Sequence, residues 1–102
     1  LDSDLLQGLA RINHLETRWA VTAERALLAR LEAGCAAPVG TLATVENGML
    51  TLRVAVASPD GAEVMRRTEA SHELSTAAAR ELGRRVGDGL LADGAARLAG
   101  LA

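Results

Sequence analysis

Cys35 is the residue of this 102-residue sequence with the clearest potential for chemistry. It is the only cysteine, so an intramolecular disulfide is excluded, and a single free thiol fits a reducing compartment. Small residues flank it, with Glu-Ala-Gly at 32–34 and Ala-Ala-Pro at 36–38, and such a loop can leave the sulfur accessible. The alternative is a buried cysteine that acts as a small hydrophobic residue. The spacing alone leaves both interpretations open.

The expected electrostatics of Cys35 limit what its sulfur could do. The residue lies just beyond a predicted helix C-terminus, where the partial charge is negative, and Glu32 is three residues upstream. Both features disfavour the thiolate, whereas reactive cysteines usually lie at helix N-termini or beside cations. Cys35 is therefore a poor candidate for a recycled nucleophile or a redox sensor. A single attack on a strongly electrophilic partner remains compatible with this environment.

The other reactive side chains do not form a recognisable site. His14 and His72 have no second ligand at metal spacing, so no metal site is predicted. The sequence has neither a glycine-rich phosphate loop nor a strained serine turn. The arginine pairs at 66–67 and 84–85 could bind an anionic substrate. A solvated charged face is the better explanation of such short runs.

Composition excludes two classes of partner. Eleven basic and 13 acidic residues give a net charge of −2, and Trp19 is the only aromatic side chain. A nucleic-acid partner is therefore not expected, because such a chain offers neither a basic footprint nor a stacking platform. No apolar run approaches the roughly 20 residues of a membrane span. The sequence begins with Leu1 instead of Met, and we expect it to be a piece of a longer protein.

Two helices are predicted in the first third of the chain. Residues 3–12 fit a short amphipathic helix with Ser3 as its cap. Asn13 and Glu16 have the spacing of a capping box, which predicts a second helix from residue 13 to about residue 33. Gly34 is expected to end that helix in the left-handed conformation. The apolar stripe of this second helix consists of Leu15, Trp19, Ala23, Leu27 and Leu31.

The pattern then changes to that of strands. Residues 39–46 and 49–57 are predicted strands joined by an Asn47-Gly48 turn. Residues 63–70 form a third, more polar strand, as expected for the edge of a sheet. In the second strand, one side is predicted to be buried, and it carries Leu50, Leu52, Val54 and Val56.

A last long helix is predicted from about Ser75, followed by a short turn over residues 95–101. Its apolar stripe consists of Leu74, Ala78, Leu82, Val86 and Leu90. Gly83, Gly87 and Gly89 weaken such a helix, and the simplest explanation is close packing against the sheet or the first long helix. The predicted fold is α+β, a three-stranded antiparallel meander sheet with helices packed on one face.

Several segments together resemble the hydroxymethylbilane synthase family, which is also called porphobilinogen deaminase. They are Ile-Asn-His-x-x-Thr at 12–17, Thr-Ala-Glu-Arg-Ala at 22–26 and Leu-Glu-Ala-Gly-Cys-x-x-Pro-Val-Gly at 31–40. Shorter matches follow in family order at 47–48, 58–61 and 90–95. The resemblance extends over essentially the whole chain and matches the C-terminal third of a three-domain enzyme. It implies that residues 1–13 are the end of the preceding domain or a connecting helix, and that residues 14–102 are the C-terminal cofactor-anchoring domain.

The resemblance implies a specific role for Cys35. Family members join four porphobilinogen units with release of ammonia and free hydroxymethylbilane by hydrolysis. Their chain grows on a dipyrromethane cofactor, which a thioether holds to the cysteine of a Gly-Cys loop. Carried over, that cysteine is Cys35. Two positions depart from the family pattern: Ala33 replaces the first glycine of Gly-Gly-Cys, and Val39 replaces a frequent isoleucine.

The resemblance also implies that the chain is incomplete as a catalyst. The catalytic carboxylate and most substrate-binding arginines of the family lie in two upstream domains. Those two domains are therefore the expected partners of this chain. The whole enzyme is expected to be cytoplasmic and to have porphobilinogen as its substrate. No catalytic residue is therefore expected in this chain, and it should not turn over porphobilinogen alone. The alternatives are a stand-alone α+β interaction module with a structural cysteine and a thiol-based regulatory domain.

Overall fold

The described part of the polypeptide forms two long helices, one short helix and a three-stranded sheet. The computed structural model describes residues 3–35, 37–98 and 100. The sheet has the order β1-β2-β3, and both strand pairs are antiparallel. This arrangement confirms the predicted α+β meander. The elements, in chain order, are α1 (Ser3–Glu32), β1 (Val39–Glu46), β2 (Met49–Ala57), β3 (Val64–Ser71), α2 (Thr76–Ala92) and α3 (Ala95–Leu98).

Helix α1 is continuous, so the predicted break at Asn13 is wrong. Neither glycine nor proline lies near that position, and Asn13 itself costs a helix less than about 1 kcal/mol relative to alanine. The capping signal is therefore too weak to interrupt the helix. The first half of α1 contributes little to the core. Four of the large apolar side chains there are 45–52% exposed, namely Leu5, Leu6, Ile12 and Leu15.

The core lies between the sheet and the two long helices. Leu50, Leu52, Val54 and Val56 of β2 are at most 4% exposed, which confirms the predicted buried side of this strand. Helix α1 contributes Ala23, Leu27 and Leu31, and α2 contributes Leu82, Val86 and Leu90. The stripe predicted for the first long helix is thus buried only in its second half.

The hairpin turn and the cap of α2 lie where the sequence predicts them. Asn47 and Gly48 both have positive φ, 53° and 71°, as the tight hairpin between β1 and β2 requires. The side chain of Ser75 caps α2 by accepting a hydrogen bond from Ala78 N at 3.0 Å. Strand β3 begins at Val64, one residue later than predicted, and lies at the edge of the sheet. The last helix, α3, ends at Leu98. In the predicted continuation to Leu101, Gly100 lies in a turn and its N–H donates to Arg97 O at 3.1 Å, whereas residues 99 and 101 lie outside the described residues.

The glycines of α2 allow close packing of its neighbours. A Cβ atom at Gly83 would overlap the Ala23 carbonyl oxygen and lie 2.8 Å from Leu27 N. A Cβ atom at Gly87 would lie 2.9 Å from the side chain of Arg30. A Cβ atom at Gly89 would lie 2.5 Å from the side chain of Arg67 on β3. The expectation that these three glycines mark close packing against the sheet or the first long helix is confirmed.

A network of charged side chains joins β3 to α2. Arg67 Nε donates to Glu69 Oε2 at 2.7 Å, and Arg85 Nε donates to Glu69 Oε1 at 2.8 Å. Arg67 Nη1 also donates to Asp93 Oδ2 at 3.0 Å. The hydrogen bonds from Arg67 and then Arg85 hold the pKa of the Glu69 carboxyl below its ordinary value of 4.5. Glu69 therefore links the edge strand to the last long helix.

We expect the Glu69→Gln variant to be less stable than the parent by about 1 kcal/mol at pH 7. Because the folded-state pKa is lowered, the carboxylate stabilises the fold above pH 4.5. That stabilisation is lost as the pH falls through the folded pKa. Urea unfolding of both proteins at a series of pH values should therefore show a difference that shrinks below pH 4.5. Glu73→Gln, at an exposed glutamate, is the matched control, and an equal effect there would contradict the role of Glu69.

Candidate functional site

Cys35 lies at the joint between α1 and β1. Gly34 N and Cys35 N both donate to Leu31 O, at 3.0 and 2.6 Å, and these bonds end the helix. The predicted left-handed conformation of Gly34 is wrong, because positive φ among the described glycines occurs at other positions. A small residue at this position is better explained by the limited space beside it, since a Cβ atom there would lie 3.2 Å from the side chain of Leu91.

Two hydrogen bonds orient the thiol of Cys35. Its Sγ donates to the Ala95 carbonyl oxygen at 3.3 Å and accepts from Ala37 N at 3.4 Å. Ala95 belongs to α3, so the C-terminal end of the chain fixes a side chain at the end of α1. Sequence reasoning missed this contact, and no local signal could have revealed it, because the two residues are 60 positions apart.

A cavity adjoins the sulfur. Cys35 is half-buried and lines a cavity of about 280 Å³. The cavity walls are aliphatic except for Glu32, which is the other ionisable side chain in its lining. Cys35 thus borders a cavity whose lining suits an apolar group better than an anionic one. The lining consists of Leu28, Leu31, Glu32, Cys35, Ala37 and Val39.

The remaining sequence candidates are dispersed. His14 and His72 are both exposed, one on α1 and one beyond β3. No three side chains of the metal-binding types come together within the described residues. Three of the four paired arginines bind carboxylates of the chain itself, since Arg67 and Arg85 contact Glu69 and Arg84 contacts Glu81. Arg66 is the exception, and it lies on the face of the sheet opposite the helices.

A comparison with known families assigns the chain to one of them. A family model described as "Porphobilinogen deaminase, C-terminal domain" matches residues 19–92. The chain belongs to this family. The match begins at Trp19, close to where α1 becomes buried, and ends with Ala92, the last residue of α2. It includes Cys35, the cavity beside it and the whole sheet.

Several bacterial porphobilinogen deaminases are similar to this C-terminal domain over nearly its full length. The enzyme of Leifsonia xyli subsp. xyli is 47% identical over 103 residues, which cover 95% of this chain and 31% of that enzyme. The Cutibacterium acnes enzyme is 46% identical, with coverage of 95% and 32%. The Mycobacterium tuberculosis enzyme is 49% identical, with coverage of 95% and 33%. The chain therefore spans about a third of the length of these relatives.

Two further predictions for this porphobilinogen deaminase C-terminal domain concern membrane spans and the domain boundary. Among the described residues, no helix is both long enough and apolar enough to cross a membrane. The predicted division between residues 13 and 14 falls inside the continuous helix α1. That division stays a prediction.

Proposed function

We propose that this chain is the cofactor-anchoring domain of a cytoplasmic porphobilinogen deaminase, and that Cys35 holds a dipyrromethane cofactor through a thioether. The whole enzyme would condense four porphobilinogen molecules into hydroxymethylbilane with release of ammonia. The observation that carries the proposal is the position of Cys35, which is the only cysteine of the chain and lines a cavity at the joint between α1 and β1. Membership of the porphobilinogen deaminase family supports it.

The neighbours of Cys35 would position its sulfur for one attachment. Ala95 O accepts a hydrogen bond from the thiol, and Ala37 N–H donates one to the sulfur, so the side chain is held in one orientation beside the cavity. If the thiol adds to an electrophilic methylene carbon of a pyrrole, the S–H bond breaks as the carbon–sulfur bond forms, the proton passes to the pyrrole nitrogen by way of solvent, and the hydrogen bond to Ala95 is lost. The hydrogen bond from Ala37 can persist, because a thioether sulfur still accepts.

The lining of the cavity fits part of the proposed cofactor. Leu28, Leu31 and Val39 can contact its apolar rings, while Glu32 would repel nearby carboxylates. The anionic groups of the cofactor would therefore point away from this domain. Once bound, the dipyrromethane supplies the end from which the polypyrrole chain grows, and this domain supplies the tether.

A second candidate function is an interaction module with a structural cysteine. The two hydrogen bonds of Cys35 Sγ favour it, since they show that the thiol already contributes to the loop. In that case, the protein would carry no covalent group. The two functions therefore differ in the mass of the purified protein.

The experiment is a chimera in which this chain replaces the matching segment of the Leifsonia xyli enzyme. We expect its intact mass to exceed the polypeptide mass by two linked pyrrole units, and the increment to disappear in the Cys35→Ser variant. Serine retains a donor for Ala95, so the loop should stay folded, and circular dichroism would verify this. A matched control is Ala33→Gly, which restores the family pattern beside the cysteine and should keep the added mass. A folded, active chimera with the bare polypeptide mass would contradict the proposal.

A further inference from the structure

The short helix α3 provides the distant contact of the Cys35 thiol. Of the two hydrogen bonds of the sulfur, the one from Ala37 N comes from the same loop. The other runs to the carbonyl oxygen of Ala95, the first residue of α3, at 3.3 Å. Because Ala95 is 60 positions away from Cys35 in the chain, the direction of the S–H bond depends on how α3 packs.

Helix α3 is held in place by its single large apolar side chain. Leu98 is completely buried in the hydrophobic core, as is Ala95. A helix of four residues is far too short to be stable on its own, so these core contacts fix its position. Arg97 adds an ion pair to Glu63 at 3.7 Å, but both side chains are more than half exposed, and such pairs contribute little. The position of the Ala95 carbonyl therefore depends on Leu98.

The turn that leads into α3 sets the direction of this helix. Gly94 has a φ of 99°, a conformation that residues with side chains rarely adopt. Its N–H donates to Leu91 O at 3.1 Å, and its carbonyl oxygen accepts from Arg97 N at 3.0 Å. A Cβ atom at Gly94 would have no neighbour within 4 Å. This glycine is therefore required for its conformation and not for space.

We propose, on the basis of the function proposed above, that Leu98 and Gly94 are positioning residues for attachment at Cys35. They act through the Ala95 carbonyl, which fixes the direction of the S–H bond. With its proton directed at Ala95 and one lone pair at Ala37 N, the sulfur keeps its second lone pair for an electrophilic carbon in the cavity. A misplacement of about 1 Å can slow a reaction roughly a hundredfold, so a displaced α3 slows attachment although the thiol is still present.

The first test follows the S–H stretching band in Raman spectra of the full 102-residue chain, whose single cysteine gives a single band. A hydrogen bond to a carbonyl lowers the frequency of this band. Leu98→Ala should raise the frequency toward that of a free thiol, because α3 loses its anchor. Leu98→Met nearly conserves the side-chain volume and should leave the band unchanged.

Leu82→Ala is the matched control for the loss of a core side chain. Leu82 is also completely buried, but it lies on α2 and not on α3. Urea unfolding should show that Leu82→Ala and Leu98→Ala lower stability to a similar extent. The S–H band should nevertheless stay in place in Leu82→Ala, because the contact between Ala95 and the thiol is intact.

A second pair of variants tests the same contact without a cavity in the core. Gly94→Ala strains the turn before α3 and should also raise the S–H frequency. Gly48→Ala introduces a comparable strain at the β1–β2 hairpin, since Gly48 has a φ of 71° and equally open space. It should leave the band unchanged. This pair decides the question even if Leu98→Ala does not fold.

The second test measures attachment itself in the Leifsonia xyli chimera, prepared without the added mass in cells that cannot make porphobilinogen. After porphobilinogen is added, intact mass recorded over time gives the rate at which the two linked pyrrole units appear. Leu98→Ala and Gly94→Ala should slow this step by about tenfold or more. Leu82→Ala, Gly48→Ala and Leu98→Met should leave the rate unchanged.

The possible outcomes separate the positioning role from the proposed function. The positioning role would be overturned by a band that stays in place in both the Leu98→Ala and Gly94→Ala chains, or by an equal shift in Leu82→Ala. Equal attachment rates in all chimeras would overturn it as well, while leaving the proposed function intact. A parent chimera that never gains mass would contradict the proposed function, and the positioning role with it, whatever the band shows.

Discussion

Gly83→Ala is expected to destabilise the fold by about 2 kcal/mol or more. The added methyl group would meet the Ala23 carbonyl oxygen and Leu27 N, which are backbone atoms of α1 and cannot rotate away. The two helices would have to separate, and Leu27 and Leu82 would lose contacts in the core. The gain in helix propensity, about 1 kcal/mol for glycine to alanine, offsets only part of this cost. Urea unfolding followed by circular dichroism measures the difference.

Substitutions at two other glycines, Gly8 and Gly87, serve as controls for this prediction. Gly8 lies in the exposed half of α1, and a Cβ atom there would have no neighbour within 4 Å. Gly8→Ala should therefore stabilise the protein by up to about 1 kcal/mol through propensity alone. Gly87→Ala should fall between the two, because it would meet the side chain of Arg30, which can move. If Gly83→Ala were as stable as Gly8→Ala, the close packing of α1 against α2 would be wrong.

The strands and helix α2 were predictable because their signals are local and strong. The Asn47-Gly48 turn matches the positive φ values that the hairpin needs, and alternation in β2 distinguishes its two faces. Ser75 begins α2 with a side-chain cap. In each case the residues that decide the geometry are within a few positions of one another. Sequence reasoning is most reliable under that condition.

The errors came from weaker local signals. The capping pattern at Asn13 could not stop a helix whose backbone meets no proline or glycine there. Gly34 was interpreted through its own conformational freedom, but the contact that requires a small residue is with Leu91, on α2. A glycine near a helix end is thus ambiguous between conformation and packing until the neighbouring helix is placed.

The candidate site was predictable only in outline. The small residues around Cys35 predicted an accessible sulfur, and the structure places the residue at the edge of a cavity. The hydrogen-bond acceptor of its thiol, Ala95 O on α3, could not be predicted from the sequence. The same holds for the hydrogen bond from Ala43 N to Glu24 Oε2, at 2.8 Å, which joins β1 to α1. Ala43 gives no sign in the sequence that its N–H needs a partner outside the sheet. Such contacts depend on tertiary packing between distant segments.

The second large effect concerns turnover by the domain alone. We expect the purified 102-residue chain to release no ammonia from porphobilinogen, whereas the Leifsonia xyli chimera described above should release it. Condensation requires groups that hold the substrate and a side chain that transfers protons. Around Cys35, the described lining offers one carboxylate, Glu32, and no guanidinium. In the proposed role, the domain would provide a point of attachment without the groups that would orient a substrate there.

The Cys35→Ser chimera separates anchoring from folding in this experiment. It should be folded, since serine can still donate to Ala95, yet release no ammonia, because the tether is missing. Glu32→Gln should keep both the added mass and the ammonia release, because the proposed role of this domain needs no proton transfer from that carboxylate. Ammonia release by the isolated chain, or its loss in the Glu32→Gln chimera, would instead place catalytic groups within this domain. Either result would contradict a purely anchoring role, because a domain that only holds the cofactor gains its activity from the remaining two-thirds of the enzyme.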